Sequence, residues 1–394
     1  MTDQSGARRN IAVLTTAQAL GGSSAPIVMS LGGLVGQQLS GNPAWVTLPV
    51  SLFGVGLALG TLPAALLMRA WGRRNAYVFA AAVGVAAGLI AAFGIFLTSF
   101  AIFCIGSFTA GLYGSYIQSY RFAAADAAEG ALKARAISWV MVGGLIAAVV
   151  GPQLVIWTRD AVTQTPYAGS FLSQAALALL SVPVLLMLRA SASGGEAASE
   201  NSGRSLLQIL AMPRYLLAVA TGVASYGLMA FVMTAAPIAM VGHGLSVDDA
   251  ALGIQWHLLA MFGPSFVTGR LIARFGKERV SAAGLVLIAL SGIVALAGPG
   301  LLSFWFSLAL LGIGWNFSFI GATAMVTECH TSGERAKAQG FNDFMVFGVT
   351  AVVSFLAGSV LHSWGWETIN WLLFPAVAVI LVPLLLQAGR GGAR

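Results

Sequence analysis

Aromatic rings, thioethers and amides recur at helical spacing in three apolar stretches of the sequence. At about 100° per residue, one stretch aligns Thr109, Tyr113, Tyr116 and Tyr120 on a single helix face. Such a lining suits a planar, largely uncharged organic molecule, because stacking and a few hydrogen bonds replace ion pairing. Packing of one helix against another is the alternative use of the same stripes. The residues predicted to bind a solute are Tyr113, Tyr116, Tyr226, Met229, Met233, His257, Trp315, Asn316 and Phe319.

His257 and Asp343 are ionisable side chains set inside apolar stretches, where burial of a charge is costly. His257 lies near the middle of the run at 249–273, where it either carries a transported proton or donates a hydrogen bond between helices. Asp343 lies near the start of the run at 339–361, on one helix face with Phe347. We expect Asp343 to be a gate residue that needs a partner.

The sequence contains none of the patterns typical of an enzyme or an ATP-driven pump. It has no phosphate-binding Gly-Lys-Ser/Thr loop, no His-Glu-x-x-His helix and no paired nucleophile and base. The four histidines are scattered, and Cys104 and Cys329 have no metal-ligand spacing. We therefore predict that the protein is not an enzyme and has no catalytic residue, no metal and no cofactor.

The composition indicates a protein built for lipid. Of the 394 residues, 58% are hydrophobic and 8% are charged, whereas a soluble domain has roughly 25% charged residues. Twelve apolar runs are each long enough to cross a hydrocarbon core of about 30 Å as a helix. They lie near 12–37, 45–69, 75–97, 100–122, 136–157, 168–189, 215–240, 249–273, 279–298, 302–327, 339–361 and 369–388. Period-two alternation is absent, so the predicted fold class is an all-α membrane protein with twelve transmembrane helices in two six-helix pseudo-repeats.

The basic residues lie almost entirely on one side of these spans. With the N-terminus inside, all of the 20 Lys and Arg residues except Arg159 fall on the cytoplasmic side. Short cation-rich loops are retained in the cytoplasm, so we predict a multi-pass protein of the bacterial inner membrane with both termini cytoplasmic. The first apolar run is too long for a cleavable signal peptide. The formal charge of +7 belongs to the membrane face and needs no nucleic-acid partner to explain it.

The chain is predicted to divide near its middle. Residues 190–205 are rich in Gly and Ser, which is typical of a flexible linker, and the short apolar stretch before Pro213 is expected to lie along the membrane interface. The predicted domains are an N-terminal six-helix bundle at 1–189, a cytoplasmic linker at 190–212 and a C-terminal six-helix bundle at 213–394.

The two halves repeat one another. The string WGR at 71–73 returns about two hundred residues later as FGK at 275–277, and the acid Asp126 returns as Glu328. Parallel repeats of six helices occur in secondary transporters, where the solute site lies between the halves.

Together these features resemble the major facilitator superfamily across essentially the whole chain, through the twelve spans, the linker and the repeated glycine-aromatic-glycine-cation loop. The resemblance implies a secondary transporter that works by alternating access. The family's loop usually carries an aspartate, and Arg69 and Ala273 occupy that position here. The arginine of span four, common in proton-driven drug exporters, is also missing, so an exporter of that type is less favoured.

In this superfamily the loop after span two latches against the cytoplasmic end of span eleven. The resemblance therefore implies that Arg69 or Arg73 pairs with Asp343, whereas Arg121 and Asp126 are expected to form a surface anchor or charge network. The residues assigned to coupling or to the gate are His257, Asp343, Arg69, Arg73, Arg74, Gly72, Gly276, Lys277, Arg121 and Asp126.

The strings QWHLLAMF, GWNFSF and QGFNDFMVFG are similar to a bacterial subgroup associated with riboflavin uptake, whose flat ring system fits an aromatic lining. The predicted function is secondary active transport of a small planar solute, with a riboflavin-like vitamin as one option. The predicted partners are the solute, the lipid bilayer and protons, and the predicted state is a monomer. The alternatives are a multidrug or metabolite efflux carrier, a membrane-embedded enzyme, and a non-transporting receptor or assembly factor. The direction of transport and its coupling are left open.

Overall fold

The structure is a computed structural model that describes residues 2–126, 131–189 and 203–391. These residues form helices and turns without a β-strand, as the apolar runs predict. The first helices are α1 (Thr2–Gly21), α2 (Ser24–Leu39), α3 (Leu48–Phe96), α4 (Phe100–Asp126), α5 (Ala131–Thr158) and α6 (Ala168–Leu186). The later helices are α7 (Leu206–Leu210), α8 (Pro213–Gly242), α9 (Val247–Phe262), α10 (Ser265–Phe275), α11 (Lys277–Leu296), α12 (Leu301–Thr327), α13 (Arg335–Trp371) and α14 (Leu373–Gly391).

The helices account for the predicted spans, although some spans are joined. Within the described part of the chain, nine helical segments are long and apolar enough to cross a membrane, and α9 with α10, bent by 42°, makes a tenth. Two of the segments, Pro43–Phe96 and Lys337–Gly389, contain 54 and 53 residues. A single span needs about 20 residues, so each of these segments holds two of the predicted spans.

Both copies of the repeated loop break the helix at a glycine whose backbone conformation other residues rarely adopt. Gly72 inside α3 has φ 74° and ψ 158°, and Gly276 between α10 and α11 has φ 87° and ψ 149°. This region of positive φ and extended ψ is essentially restricted to glycine. The repeated aromatic-glycine-cation phrase thus encodes the same backbone break twice.

The chain separates into two compact units. Unit 1 comprises Met1–Gly195 together with Ser246–Gln255, and unit 2 comprises Glu196–Leu245 and Trp256–Arg394. Of the predicted linker at 190–212, residues 190–202 lie outside the described part of the chain. The predicted boundaries at 189 and 213 stay a prediction.

Small residues bring the helices of each unit close together. In unit 1, a Cβ on Gly111 would lie 2.1 Å from the carbonyl oxygen of Phe53, which means that α3 and α4 touch through their backbones. In unit 2, a Cβ on Gly284 would lie 2.4 Å from the amide nitrogen of Ser318, so α11 and α12 meet in the same way. Close backbone contact at small residues is how membrane helices gain packing energy without a hydrophobic driving force.

Candidate functional site

Five aromatic side chains of unit 2 form a connected group, here called the aromatic cluster. Its members are Tyr226, Phe262, Trp315, Phe319 and Phe347. Tyr226 is the centre, because its ring makes edge contacts with Trp315 at 5.4 Å, Phe319 at 5.2 Å and Phe347 at 5.6 Å between centroids. The Trp315 and Phe319 rings stack at 5.1 Å with only 17° between their planes. Three of the residues predicted to bind a solute, Tyr226, Trp315 and Phe319, thus contact one another, and their contact with a solute stays a prediction.

Helix spacing explains how the cluster is assembled. Trp315 and Phe319 are four residues apart on α12 and therefore lie one above the other on the same helix face. Tyr226 comes from α8, Phe262 from the end of α9 and Phe347 from α13. Trp315 is 7% exposed, whereas the other four rings are only partly buried. Four of the five rings therefore keep some accessible surface.

Contacts between α8 and α13 hold the cluster in register. The Tyr215 hydroxyl donates a hydrogen bond of 2.7 Å to the carbonyl oxygen of Ala338 at one end. At the other end the hydroxyls of Thr234 and Ser354 are hydrogen-bonded at 3.3 Å. Tyr226 and its contact with Phe347 lie between these two bonds, so the ring positions are restrained from both sides.

Two polar atoms beside the cluster lack a partner. The indole Nε1 of Trp315 and the hydroxyl Oγ1 of Thr350 are both buried and make no hydrogen bond. An unpaired buried donor costs about 1–3 kcal/mol, so such atoms call for an explanation. A ligand that accepts a hydrogen bond next to the stacked rings would satisfy Trp315.

Asn316, predicted to bind a solute, makes all its hydrogen bonds within unit 2. Its Nδ2 donates to the carbonyl oxygen of Met261 and to Oγ of Ser265, each at 2.7 Å. The Thr268 hydroxyl donates to its Oδ1 at 2.5 Å. These bonds span the break between α9 and α10 and join it to α12. In this conformation Asn316 positions helices, and its contact with a solute stays a prediction.

His257 is completely buried at the contact between α9 and α12. Its Nδ1 lies 2.8 Å from the carbonyl oxygen of Leu308, and its Nε2 has no hydrogen-bond partner. Because a carbonyl oxygen can only accept, Nδ1 carries the proton and Nε2 carries the lone pair in the neutral ring. A Cβ on Gly312 would lie 2.5 Å from the His257 carbonyl oxygen, which shows how closely the helices approach. The structure thus gives His257 the predicted interhelical hydrogen bond and leaves its proton role a prediction.

Met229 and Met233, the other solute-binding residues predicted on α8, are also buried. Met229 is 2% exposed and Met233 is 6% exposed. Their thioethers therefore pack inside unit 2 in this conformation, and contact with a solute stays a prediction.

The tyrosine stripe of α4 lies in the core of unit 1. Tyr113 and Tyr120 are fully buried and Tyr116 is 4% exposed. The Tyr113 hydroxyl lies 3.5 Å from Oγ of Ser181, and the Tyr120 ring makes an edge contact of 4.7 Å with Tyr77. This is the packing use of an aromatic stripe that the sequence left open. Solute binding by Tyr113 and Tyr116 stays a prediction.

The repeated loop makes the same ion pair in both units. Arg73, which follows Gly72, binds the carboxylate of Asp126 at the end of α4. Lys277, which follows Gly276, binds the carboxylate of Glu328 just after α12. Arg214 adds a second cation to Glu328 at 3.1 Å. The sequence repeat is therefore also a repeat of a charge contact, and the expected anchor or network role of Arg121 and Asp126 stays a prediction.

The other basic residues assigned to the gate lie at the surface. Arg69 and Arg74 are exposed, and the guanidinium of Arg121 lies over the ring of Phe122 at 4.8 Å. The pairing of Asp343 with Arg69 or Arg73 stays a prediction.

An ion pair between the partly exposed Arg204 and the buried Glu334, which the sequence does not indicate, anchors the short helix α7. Nε and Nη2 of Arg204 donate to the two carboxylate oxygens of Glu334 at 2.8 Å each, and the Arg204 amide donates to the same carboxylate. Glu334 is 2% exposed. The Arg204 guanidinium and the Thr331 amide lower the pKa of the Glu334 carboxyl below its ordinary value. In the sequence, the sign of this ion pair is an arginine at the end of a polar linker.

Arg159, the cation expected on the opposite side from the rest, is neutralised within unit 1. Its Nη1 lies 2.7 Å from a carboxylate oxygen of Asp248 at the start of α9. Deeper along the same helices, Gln153 Nε2 donates to Gln255 Oε1 at 3.0 Å. Both contacts lie within unit 1, which includes Ser246–Gln255.

The fold defines a multi-pass helical membrane protein. The Major Facilitator Superfamily model matches residues 217–391. The chain is 68% identical to the riboflavin transporter RfnT of Brucella anthropi over 394 residues, covering 100% of this chain and 99% of that protein. It is 29% identical to the MFS-type transporter YdeG of Bacillus subtilis, covering 96% of this chain and 91% of that protein. The chain belongs to the Major Facilitator Superfamily, and it is a transporter and not an enzyme.

Solved structures with the same fold are more distant in sequence. The D-xylose-proton symporter superimposes with a TM-score of 0.73 at 16% identity and covers 96% of each chain. The nucleoside transporter NupG superimposes with a TM-score of 0.71 at 15% identity, covering 95% of this chain and 97% of its own. These structures establish the shared fold.

Proposed function

We propose that this protein transports riboflavin or a closely similar planar molecule across the bacterial inner membrane by alternating access. The observation that carries the proposal is the aromatic cluster, where Trp315 and Phe319 stack and the indole Nε1 has no partner. The 68% identity to a riboflavin transporter supports the same solute class.

The chemistry of the cluster suits a fused heteroaromatic ring. Stacked and edge-on rings favour a flat partner, and aromatic pairs contribute about 0.5–1.5 kcal/mol beyond the area they bury. The free indole N–H supplies one donor for a ring carbonyl or ring nitrogen. The ring contacts themselves need no charge on the solute.

Fluorescence titration of the purified protein tests the proposal. A flavin stacked on an indole loses fluorescence, so riboflavin should be quenched on binding to the wild-type protein. Trp315→Ala should weaken binding by about 1–2 kcal/mol, which is roughly 5- to 30-fold. Trp256→Ala is the matched control, because Trp256 lies in the same unit, is 44% exposed and is outside the cluster. Absence of saturable quenching by the wild-type protein, or equal losses in the two variants, would contradict the proposal.

The topology forms part of the proposal. Both termini lie in the cytoplasm. With this orientation, the spans place all the basic residues except Arg159 on the cytoplasmic side, where cation-rich loops are retained. The protein acts as a monomer and needs no nucleic-acid partner. Cysteine labelling from the two sides of intact spheroplasts tests the orientation. A cysteine introduced near Arg9 should react with the labelling reagent only after the spheroplasts are permeabilised.

Proton coupling through His257 is a further part of the proposal. With Nδ1 held by Leu308, the lone pair of Nε2 is the position that can accept a proton. His257→Gln should abolish accumulation driven by a proton gradient in vesicles while leaving solute counterflow intact, because counterflow needs no net proton movement. Gradient-driven accumulation at the wild-type level would exclude His257 as the coupling residue.

A further inference from the structure

Asp343 lies at the edge of the aromatic cluster on the same face of α13 as Phe347. The two residues are four positions apart, which places their side chains one above the other about 6 Å apart along the helix. The Phe347 ring contacts Tyr226, so this face of α13 is turned toward the cluster. Asp343 is therefore one helical turn from the bound ring system of the proposed function.

The neighbours of Asp343 on α13 pack against α8, yet Asp343 is exposed. Asn342 and Thr350 are buried, at 7% and 8% exposure, and so is Val346 at 1%. A Cβ on Gly222 of α8 would lie 3.6 Å from the Val346 side chain and 3.8 Å from the Asn342 amide oxygen. Asp343 lies on the stripe that these contacts define, but its side chain remains accessible. The Asp343 carboxylate is thus accessible at the edge of the contact between α8 and α13.

The carboxylate can accept hydrogen bonds from a solute. Asn342 Nδ2 donates to Asp343 Oδ1 at 3.1 Å, which fixes the orientation of the carboxylate. A carboxylate offers about four acceptor positions, so this contact is compatible with further donors. Hydrogen bonds to an ionised group are roughly twice as strong as neutral ones. The matching ligand groups are hydroxyls, which donate and carry no charge.

The cluster and the carboxylate together match a ligand with two parts. The stacked rings and the unpaired Trp315 Nε1 suit a flat ring system, and Asp343 one turn away suits a chain of hydroxyl groups attached to it. We infer that Asp343 binds the polyhydroxyl chain of the solute and sets the preference for hydroxylated over unsubstituted ring compounds. This inference rests on the proposed function, because it assumes that the ring occupies the cluster.

The test compares riboflavin with lumiflavin, which has the same ring system but a methyl group in place of the hydroxylated chain. The wild-type protein should bind riboflavin at least tenfold more tightly than lumiflavin in the quenching titration. Asp343→Asn should weaken riboflavin binding about tenfold and leave lumiflavin binding unchanged within twofold. Trp315→Ala is the matched control, because it should weaken both ligands equally and leave the ratio unchanged.

The outcomes separate the two proposals. Quenching of neither ligand by the wild-type protein would overturn both the transport of flavins and the role of Asp343. Binding of both ligands by Asp343→Asn with an unchanged ratio, or with equal losses for both, would overturn the role of Asp343 alone. If Asp343→Asn does not yield folded protein, the wild-type ratio still decides, since a preference below threefold leaves no role for a chain-binding acceptor.

Discussion

The carboxylate of Glu334 accepts hydrogen bonds of 2.8 Å from both Nε and Nη2 of Arg204, and this pair joins the end of the linker to the loop before α13. The paired geometry is the one in which arginine binds a carboxylate most strongly. Because Glu334 is 2% exposed, removing Arg204 would leave the Glu334 carboxylate poorly solvated.

Stability should therefore depend on pH through Glu334. Its pKa is lower in the folded protein than the ordinary value of 4.5. The contribution of Glu334 to the free energy of unfolding is fully present above pH 4.5, and it is lost as the pH falls from there toward the pKa of the folded protein. Thermal unfolding in detergent should show a lower midpoint for Glu334→Gln than for wild type at neutral pH, and the gap should narrow below pH 4.5. A gap that stays constant in acid would exclude this linkage, and the exposed Glu367→Gln serves as the control.

The repeated ion pair should contribute unequally in the two units. Asp126 binds Arg73 with both side chains more than a third exposed, so Asp126→Asn should cost about 0.2–1 kcal/mol. Glu328 binds Lys277, which is only 14% exposed, and also Arg214, so Glu328→Gln should cost more. Double-mutant cycles with Arg73→Met and Lys277→Met measure each coupling energy. A larger coupling at Asp126 than at Glu328 would reverse the expected order.

The glycines of the repeated phrase should resist substitution for backbone reasons alone. No atom lies within 4 Å of a Cβ built on Gly72, so Gly72→Ala meets no clash, yet its positive φ should cost about 1–3 kcal/mol. Gly276→Ala should behave alike. Gly269→Ala in α10 is the control, since its site is equally open but helical, and alanine should stabilise it by about 0.5–1 kcal/mol. Thermal unfolding of the three variants shows whether each substitution lowers or raises the stability. Equal changes for Gly72→Ala and Gly269→Ala would contradict the prediction.

Asn316→Ala should destabilise unit 2 through lost helix contacts. Asn316 takes part in three hydrogen bonds that join α12 to the α9–α10 break, and at about 0.6–1 kcal/mol each their loss amounts to about 2–3 kcal/mol. Asn370→Ala is the matched control, because Asn370 is equally buried but donates only to the Trp366 carbonyl of its own helix. A smaller unfolding effect for Asn316→Ala than for Asn370→Ala would refute the structural role.

Local patterns in the sequence were enough to predict most of the helices and part of the site. The apolar runs predicted the spans, and helical spacing brought Trp315 and Phe319 to one face. The same spacing on α8 predicts that Tyr226 binds the solute. The sequence does not predict Phe262 as a site residue, because its place in the cluster depends on the bend between α9 and α10.

The sequence alone determined the fold class, the family and the position of the repeated loop, because run length, composition and glycine conformation act within a few residues. The tertiary structure decided which partners meet. It brings Arg204 to Glu334 and gives the Asn316 amide its hydrogen-bond partners within unit 2. It also places Tyr113 in the core of unit 1. Those outcomes depend on how helices pack across long sequence separations, and helical periodicity carries no information about which helix lies opposite a given face.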